Sequence, residues 1–225
     1  MGVLAFAVVF GHIARANGSP GERGDMPAQG FNTARDKEII LDNCRIEKDR
    51  TNMTTVTKLI DEADIHARVE EMAAEIARDL PNDVLVIGLL KGAFVFTADM
   101  YRALDKAGME PQIEFLRLSS YGNSKESSGE VLVSGNIPSD VEGKHLLVLD
   151  DILDSGRSLA FAKNMFLERG AAKVTTCVLL DKPSRREVDS QADYVGFKID
   201  DLFVVGYGID YAQKFRHLPY VGTVD

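Results

Sequence analysis

Beyond residue 53 the apolar positions switch repeatedly between two spacings, and the switching predicts an architecture. Ile65, Val69, Met72, Ile76 and Leu80 recur at helical spacing, giving a helix with one apolar face. Val84 to Leu89 is a short unbroken apolar run, as expected of a strand covered on both faces. A second helix is predicted over about Ala93 to Ala107, followed by a strand at 112–118. Residues 119–128 are small and polar and predict a mobile loop, with a further strand at Val131–Ser134. The apolar run at 145–150 leads into a helix from Ser158 to Glu168 that stops at Gly170; a strand at Val174–Leu180 follows. Short strands near Tyr194–Phe197 and Phe203–Gly206 complete the pattern. Strand–helix–strand repetition predicts an α/β fold, a mostly parallel sheet with helices on both faces. In such sheets ligands bind beyond the carboxyl ends of the strands.

Residues 1–52 do not share this pattern. An apolar start, Val3 to Phe10, gives way to Gly-Ser-Pro-Gly-Glu-Arg-Gly without sustained periodicity. Ala14-Arg15-Ala16 resembles a leader cleavage site, but the start carries no basic residues and the apolar run is short. The expectation is a disordered or weakly structured extension over 1–52, with one domain over 53–225. Acidic and basic residues balance within 1–52, so the whole formal charge of −9 lies in the domain. That charge argues against a nucleic-acid binder, which ordinarily presents a basic face. No run is long enough to span a bilayer as a helix. Cys44 and Cys177 are too few for a disulfide framework and read as thiols, implying a reducing, cytoplasmic setting.

The chemistry concentrates at 145–159. A strand runs into Asp150 and Asp151, and Asp154 follows at the entrance of a Ser-Gly-Arg-Ser turn that opens a helix. Desolvation and like-charge repulsion oppose crowding carboxylates at a buried strand end. Crowding becomes favourable when the site handles a cation, sugar hydroxyls or both. The helix start just beyond supplies free amides and a dipole suited to a phosphate. Acids followed by amides describe a receptor for a phosphorylated sugar.

Leu147–Ser158 resembles the phosphoribosyl-pyrophosphate (PRPP) loop of the type I phosphoribosyltransferases. Three further segments resemble the hypoxanthine/guanine branch of that family: Leu89-Leu90-Lys91-Gly92-Ala93, Ser120-Tyr121 in its polar loop, and Phe203 to Arg216. The resemblance spans about 57–224 and implies a twisted sheet with a small hood formed by terminal segments. It also implies transfer of the phosphoribosyl group from PRPP to hypoxanthine, and to guanine, in purine salvage.

By that resemblance Asp150 and Asp151 bind the ribose hydroxyls and Mg²⁺. Asp154 is the general base near purine N7, and Ser155, Gly156, Arg157 and Ser158 cradle the 5′-phosphate. Lys91, Gly92 and Arg216 serve the pyrophosphate, with a cis peptide between Leu90 and Lys91. Ser120 and Tyr121 belong to a lid. Lys182 donates to the 6-oxo group, Phe203 stacks on the purine, Val204 reads its edge through the backbone, and Asp210 holds a second Mg²⁺. The implied partners are PRPP, a 6-oxopurine and further copies of the chain in a homodimer or homotetramer. This chain carries Asp150, Ser155 and Arg157 where many relatives carry Glu, Thr and Lys.

Taken singly, several of these residues have plainer readings. Lys91-Gly92 is an ordinary strand-to-helix turn, Phe203 reads as core, and Asp210 and Arg216 read as surface charges. Two other functions share the PRPP loop: transfer to xanthine, adenine, orotate or uracil, and an RNA-binding regulator that keeps the pocket. The acidic domain disfavours the second.

Overall fold

The computed structural model describes residues 55–120 and 131–224. In chain order the elements are β1 (Val56–Ile60), α1 (Glu62–Asp79), β2 (Leu85–Leu90), α2 (Phe94–Lys106), β3 (Gln112–Ser120) and β4 (Val131–Val133). They continue as β5 (His145–Leu153), α3 (Arg157–Glu168), β6 (Lys173–Asp181), β7 (Tyr194–Lys198), β8 (Val204–Val205) and β9 (Val221–Val224). A short 3₁₀ turn at Pro183–Arg185 follows β6. The expected extension at 1–52 and the lid residue Tyr121 lie outside the described residues. Ser120 is the last residue of β3.

Six strands form one sheet in the order β4-β3-β2-β5-β6-β7, parallel except for the antiparallel β3–β4 edge. The unbroken apolar runs follow from having both faces covered. In β5, Leu147 and Leu149 join the α1 and α2 side with Met72, Ile76, Phe96 and Met100. Leu146 and Val148 join the α3 side with Leu159, Ala162 and Phe166. Each of these buried Leu, Ile, Val, Met and Phe side chains contributes about 1.5–3 kcal/mol. Truncating Leu149 to alanine would cost about 2–5 kcal/mol. Helix α1 begins at Asp61, whose side chain accepts the Glu62 amide at 2.7 Å, and Glu62 and Asp64 suit the positive end of its dipole. It stops at Leu80, in extended conformation before Pro81.

Besides β3 running through Ser119 and Ser120, two residues into the stretch expected to be loop, two features depart from the sequence expectations. Strand β5 does not end at Asp150. It stays paired with β6 through Asp150↔Val178, Ile152↔Leu180 and Leu153↔Asp181. The acids therefore lie within a strand, past the point where the apolar run gives out. Ile152 packs on the same side as Leu147 and Leu149, so the alternation slips by one residue across the acid pair. The second departure is the pair β1 and β9, which the apolar pattern does not announce. They form a three-stranded antiparallel sheet in the order β1-β9-β8, with Val56 opposite Val224 and Val204 opposite Thr223. This is the small hood of terminal segments, and β8 carries the purine-side candidates into it.

Candidate active site

The site begins at the end of β5. Asp150 and Asp151 are half-buried, and Asp150 Oδ1 accepts the Asp151 amide at 3.0 Å. Burial first, and then the Asp151 charge, pushes the Asp150 carboxyl well above the usual carboxylate range. Burial also raises Asp151, offset in part by its side-chain hydrogen bond with Asp150 and by the Arg216 guanidinium. Hard oxygens crowded at such a cost suit a divalent cation or hydroxyl donors.

Two glycines bring distant segments onto these acids. A Cβ at Gly92 would lie 1.9 Å from Asp151 Oδ2, so only glycine lets the β2–α2 turn approach. The Leu90–Lys91 peptide just before it is cis, as the resemblance implied. Gly208, at φ +99°, lies so close to this turn that a Cβ would fall 2.2 Å from the Gly92 carbonyl oxygen. Arg216 Nη1 donates to the Gly208 carbonyl at 2.7 Å, and its Nη2 pairs with Asp210 Oδ1 at 2.6 Å. Asp210 Oδ2 accepts the Gln213 amide at 2.7 Å. Asp151, Gly92, Gly208, Asp210 and Arg216 thus form one connected set.

Past the acids, a cavity of about 220 Å³ is lined by residues 150–156 together with Ser158 and Leu159. Gly156 makes the turn into α3 at φ +86°, a conformation that glycine adopts without strain. Helix α3 then starts at Arg157, where first-turn amides lack intrahelical acceptors. The Arg157 guanidinium points elsewhere, to Glu187 Oε2 at 2.7 Å. Amides and hydroxyls, rather than that side chain, are therefore placed to meet an anion. Asp154 Oδ1 accepts from Arg185 Nε at 3.3 Å, and the same guanidinium lies 3.6 Å from Asp201.

Lys182 is buried, its amide donating to the Leu153 carbonyl at 3.0 Å and its ammonium to the Leu202 carbonyl at 2.5 Å. It therefore ties the end of β6 to the segment leading into β8. Phe203 is not core: it is 55% exposed and meets Tyr211 edge-to-face at 5.3 Å between centroids. Val204 is buried in β8, and Lys91 is exposed.

Three site neighbours escape the sequence reading. Arg185 and Arg186 sit against the turn at 153–157, in a stretch without periodicity. Tyr207 is buried at φ +50°, its hydroxyl donating to Asp99 Oδ2 at 2.5 Å and anchoring the Gly206–Gly208 loop to α2. A tyrosine between two glycines was the available signal.

A phosphoribosyl transferase domain matches residues 55–212. The chain belongs to the phosphoribosyltransferase family. Hypoxanthine phosphoribosyltransferase of Haemophilus influenzae is 43% identical over 173 residues, covering 75% of this chain and 95% of the relative. Hypoxanthine-guanine phosphoribosyltransferase of Bacillus subtilis is 43% identical over 167 residues, 74% of this chain and 91% of the relative. The crystal structure of a hypoxanthine-guanine phosphoribosyltransferase from Bacillus anthracis superposes with a TM-score of 0.71 at 42% identity. It covers 77% of this chain and 100% of that one. The parallel sheet with flanking helices is thus the family fold, and the chain is an enzyme of its hypoxanthine branch. No helix among the described residues is long and apolar enough to cross a membrane.

Proposed function

We propose that this phosphoribosyltransferase moves the 5-phosphoribosyl group from PRPP to hypoxanthine, and to guanine, releasing pyrophosphate. The observation that supports it most is the contact chain Asp151–Gly92–Gly208, which brings the sugar-side acids, the Lys91 turn and the Arg216 segment against one another.

The bond from C1′ to the pyrophosphate oxygen breaks as a purine nitrogen bonds to C1′. Positive charge grows on the ribose and negative charge on the leaving group. Asp150 and Asp151 hold the ribose hydroxyls, and the amides of 155–158 hold the 5′-phosphate against the α3 dipole. Arg216 and the Lys91–Gly92 turn receive the pyrophosphate, which a planar guanidinium suits. Asp154 takes the purine proton, exchanging its contact with Arg185 for one with the base. Lys182 presents a donor-only ammonium that favours a 6-oxo group over an amino group. Phe203 offers an exposed ring face for stacking.

The carboxylate pair fits Mg²⁺. No set of three or more protein ligands exists among the described residues, and Mg²⁺ ordinarily takes one or two carboxylates plus substrate phosphates and water. Asp150 and Asp151 would hold it where its charge offsets that of the pyrophosphate. Asp210 would hold a second ion on giving up its pair with Arg216. Ser120 and Tyr121 serve as lid residues, the reaction runs in the cytoplasm, and the working form is a homodimer or homotetramer.

Nucleotide formation from PRPP and Mg²⁺ with hypoxanthine, guanine, xanthine, adenine, orotate and uracil tests the reading. Turnover is expected with the first two; none with either would sink it. The functional boundary is placed at Met53, so a chain begun there should keep full kcat/KM with hypoxanthine. A large loss on truncation would give residues 1–52 a part in activity.

A further inference from the structure

Residues 185–188 touch every residue of the turn at 153–157. Arg185 donates to the Asp154 carboxylate. Glu187 and Val188 amides donate to the Ser155 carbonyl at 3.0 and 3.3 Å, and the Glu187 carboxylate pairs with Arg157. At Gly156 a Cβ would stand only 3.0 Å from Arg186 Cδ and 3.2 Å from Val188 Cγ2, so the two segments are closely packed. The centre of this contact is Arg186, whose side chain is 17% exposed. Its Nη1 donates to the Leu153 carbonyl at 2.9 Å and also to the Asp154 carbonyl, while Nη2 pairs with Asp181, 11% exposed. Asp181 ends β6 and precedes Lys182. One planar fork thus fixes two consecutive carbonyls of the turn against the rim of the sheet, a geometry that a point charge cannot copy.

We propose that Arg186, held by Asp181, is a positioning residue that sets the sugar-phosphate turn for catalysis. The proposal rests on the functional reading above. Arg186 touches no reacting atom; it holds the backbone from which the Asp154 side chain and the 155–158 amides project. The pyrophosphate-side groups, Gly92 and Arg216, receive nothing from it. Loss of the brace therefore weakens binding on one side of the site only.

The test compares full-length wild type with Asp181→Asn/Arg186→Gln and Arg186→Lys. The double variant removes both charges together, so no buried charge is left unpaired. Calorimetric titration with inosine 5′-monophosphate and, separately, with inorganic pyrophosphate is run in Mg²⁺. In both variants the nucleotide should bind about tenfold or more weakly while pyrophosphate stays within about twofold, because the bonds disturbed lie at the turn and Asp181 and none reaches Gly92 or Arg216. Equal weakening of both ligands would make the pair a general structural one and overturn the proposal. Unchanged nucleotide binding, or its full rescue by Arg186→Lys, would also overturn it. Hypoxanthine turnover by the wild type is measured in the same preparation. Its absence would count against the functional reading, whereas wild-type turnover with unchanged variant binding would count against the brace alone.

Discussion

The turn at 150–158 and the segment at 203–216 meet through Gly92 but handle charge in opposite ways. In the turn, Asp150 and Asp151 lie side by side, half-buried, and burial raises both carboxyls in the resting structure. In the later segment, Asp210 arrives with its own cation, Arg216, and with the Gln213 amide. The first region is incomplete without a ligand that brings positive charge and hydroxyls. The second is charge-balanced, and its Asp210 must open an existing pair to engage a cation. Cation demand therefore sits at the sheet and adjustable reach sits at the hood. Substitutions in the two regions should consequently fail differently.

The largest effect is expected at Asp154. Asp154→Asn keeps the shape but removes the proton acceptor, so kcat should fall by about 10²–10⁴-fold. The KM for PRPP should change far less. Equal losses in kcat and PRPP binding would assign Asp154 to holding the turn instead. Gly92→Ala comes next. The added Cβ meets the Asp151 carboxylate rather than backbone, so the carboxylate is what must move. Thermal stability should stay near wild type while kcat/KM drops by about 10²-fold, the scale of a ~1 Å misplacement. Full activity in this variant would show that Asp151 need not hold its place.

How far the site could be read from sequence follows the same division. The turn was legible because its chemistry is contiguous: an apolar run, paired acids, a glycine and a helix start in one stretch. The α/β alternation was legible because a sheet covered on both faces imposes unbroken apolar runs at strand spacing. The hood was not legible from pattern. Strand β1 shows one buried residue in five, and its partner β9 lies at the other end of the domain, so neither carries a period of its own. Phe203 reads as core by composition and is exposed in the fold, and only the family resemblance anticipated that. Arg186 was out of reach because two arginines in a polar stretch look solvated. Its burial arises from packing against Gly156 and Asp181, which sequence spacing does not encode.

Phe203→Ala should have a moderate effect confined to the base. Loss of a stacking ring is worth about 1–3 kcal/mol per base, which predicts a rise of about 5- to 150-fold in the hypoxanthine KM. The KM for PRPP should stay close to wild type, since the ring of Phe203 packs on Tyr211 within its own segment. Steady-state kinetics with each substrate varied in turn would check this. A parallel rise in the PRPP KM would mean that the two regions are mechanically coupled and would break the comparison.

The smallest effect concerns stability. Asp150 has its carboxyl raised by burial and by Asp151, so the folded chain favours its protonated form. The stability associated with that proton is fully present below the ordinary carboxylate value of about 4 and is lost as pH rises through the raised value. Asp150→Asn carries no charge to desolvate. In metal-free protein its Tm should therefore gain on wild type as pH rises from about 4 towards neutrality, and the difference should level off once wild-type Asp150 is ionised. Calorimetric melts across that range, with chelator present, would measure it. Asp210→Asn is the matched control, since removing that charge strands Arg216 and should give no gain at any pH. Adding Mg²⁺ with PRPP should shrink the Asp150→Asn advantage, because a cation that binds the folded carboxylates stabilises only the chain that has them. If Asp150→Asn were instead the less stable chain throughout, the acid pair would be satisfied as built and the contrast between turn and hood would fail.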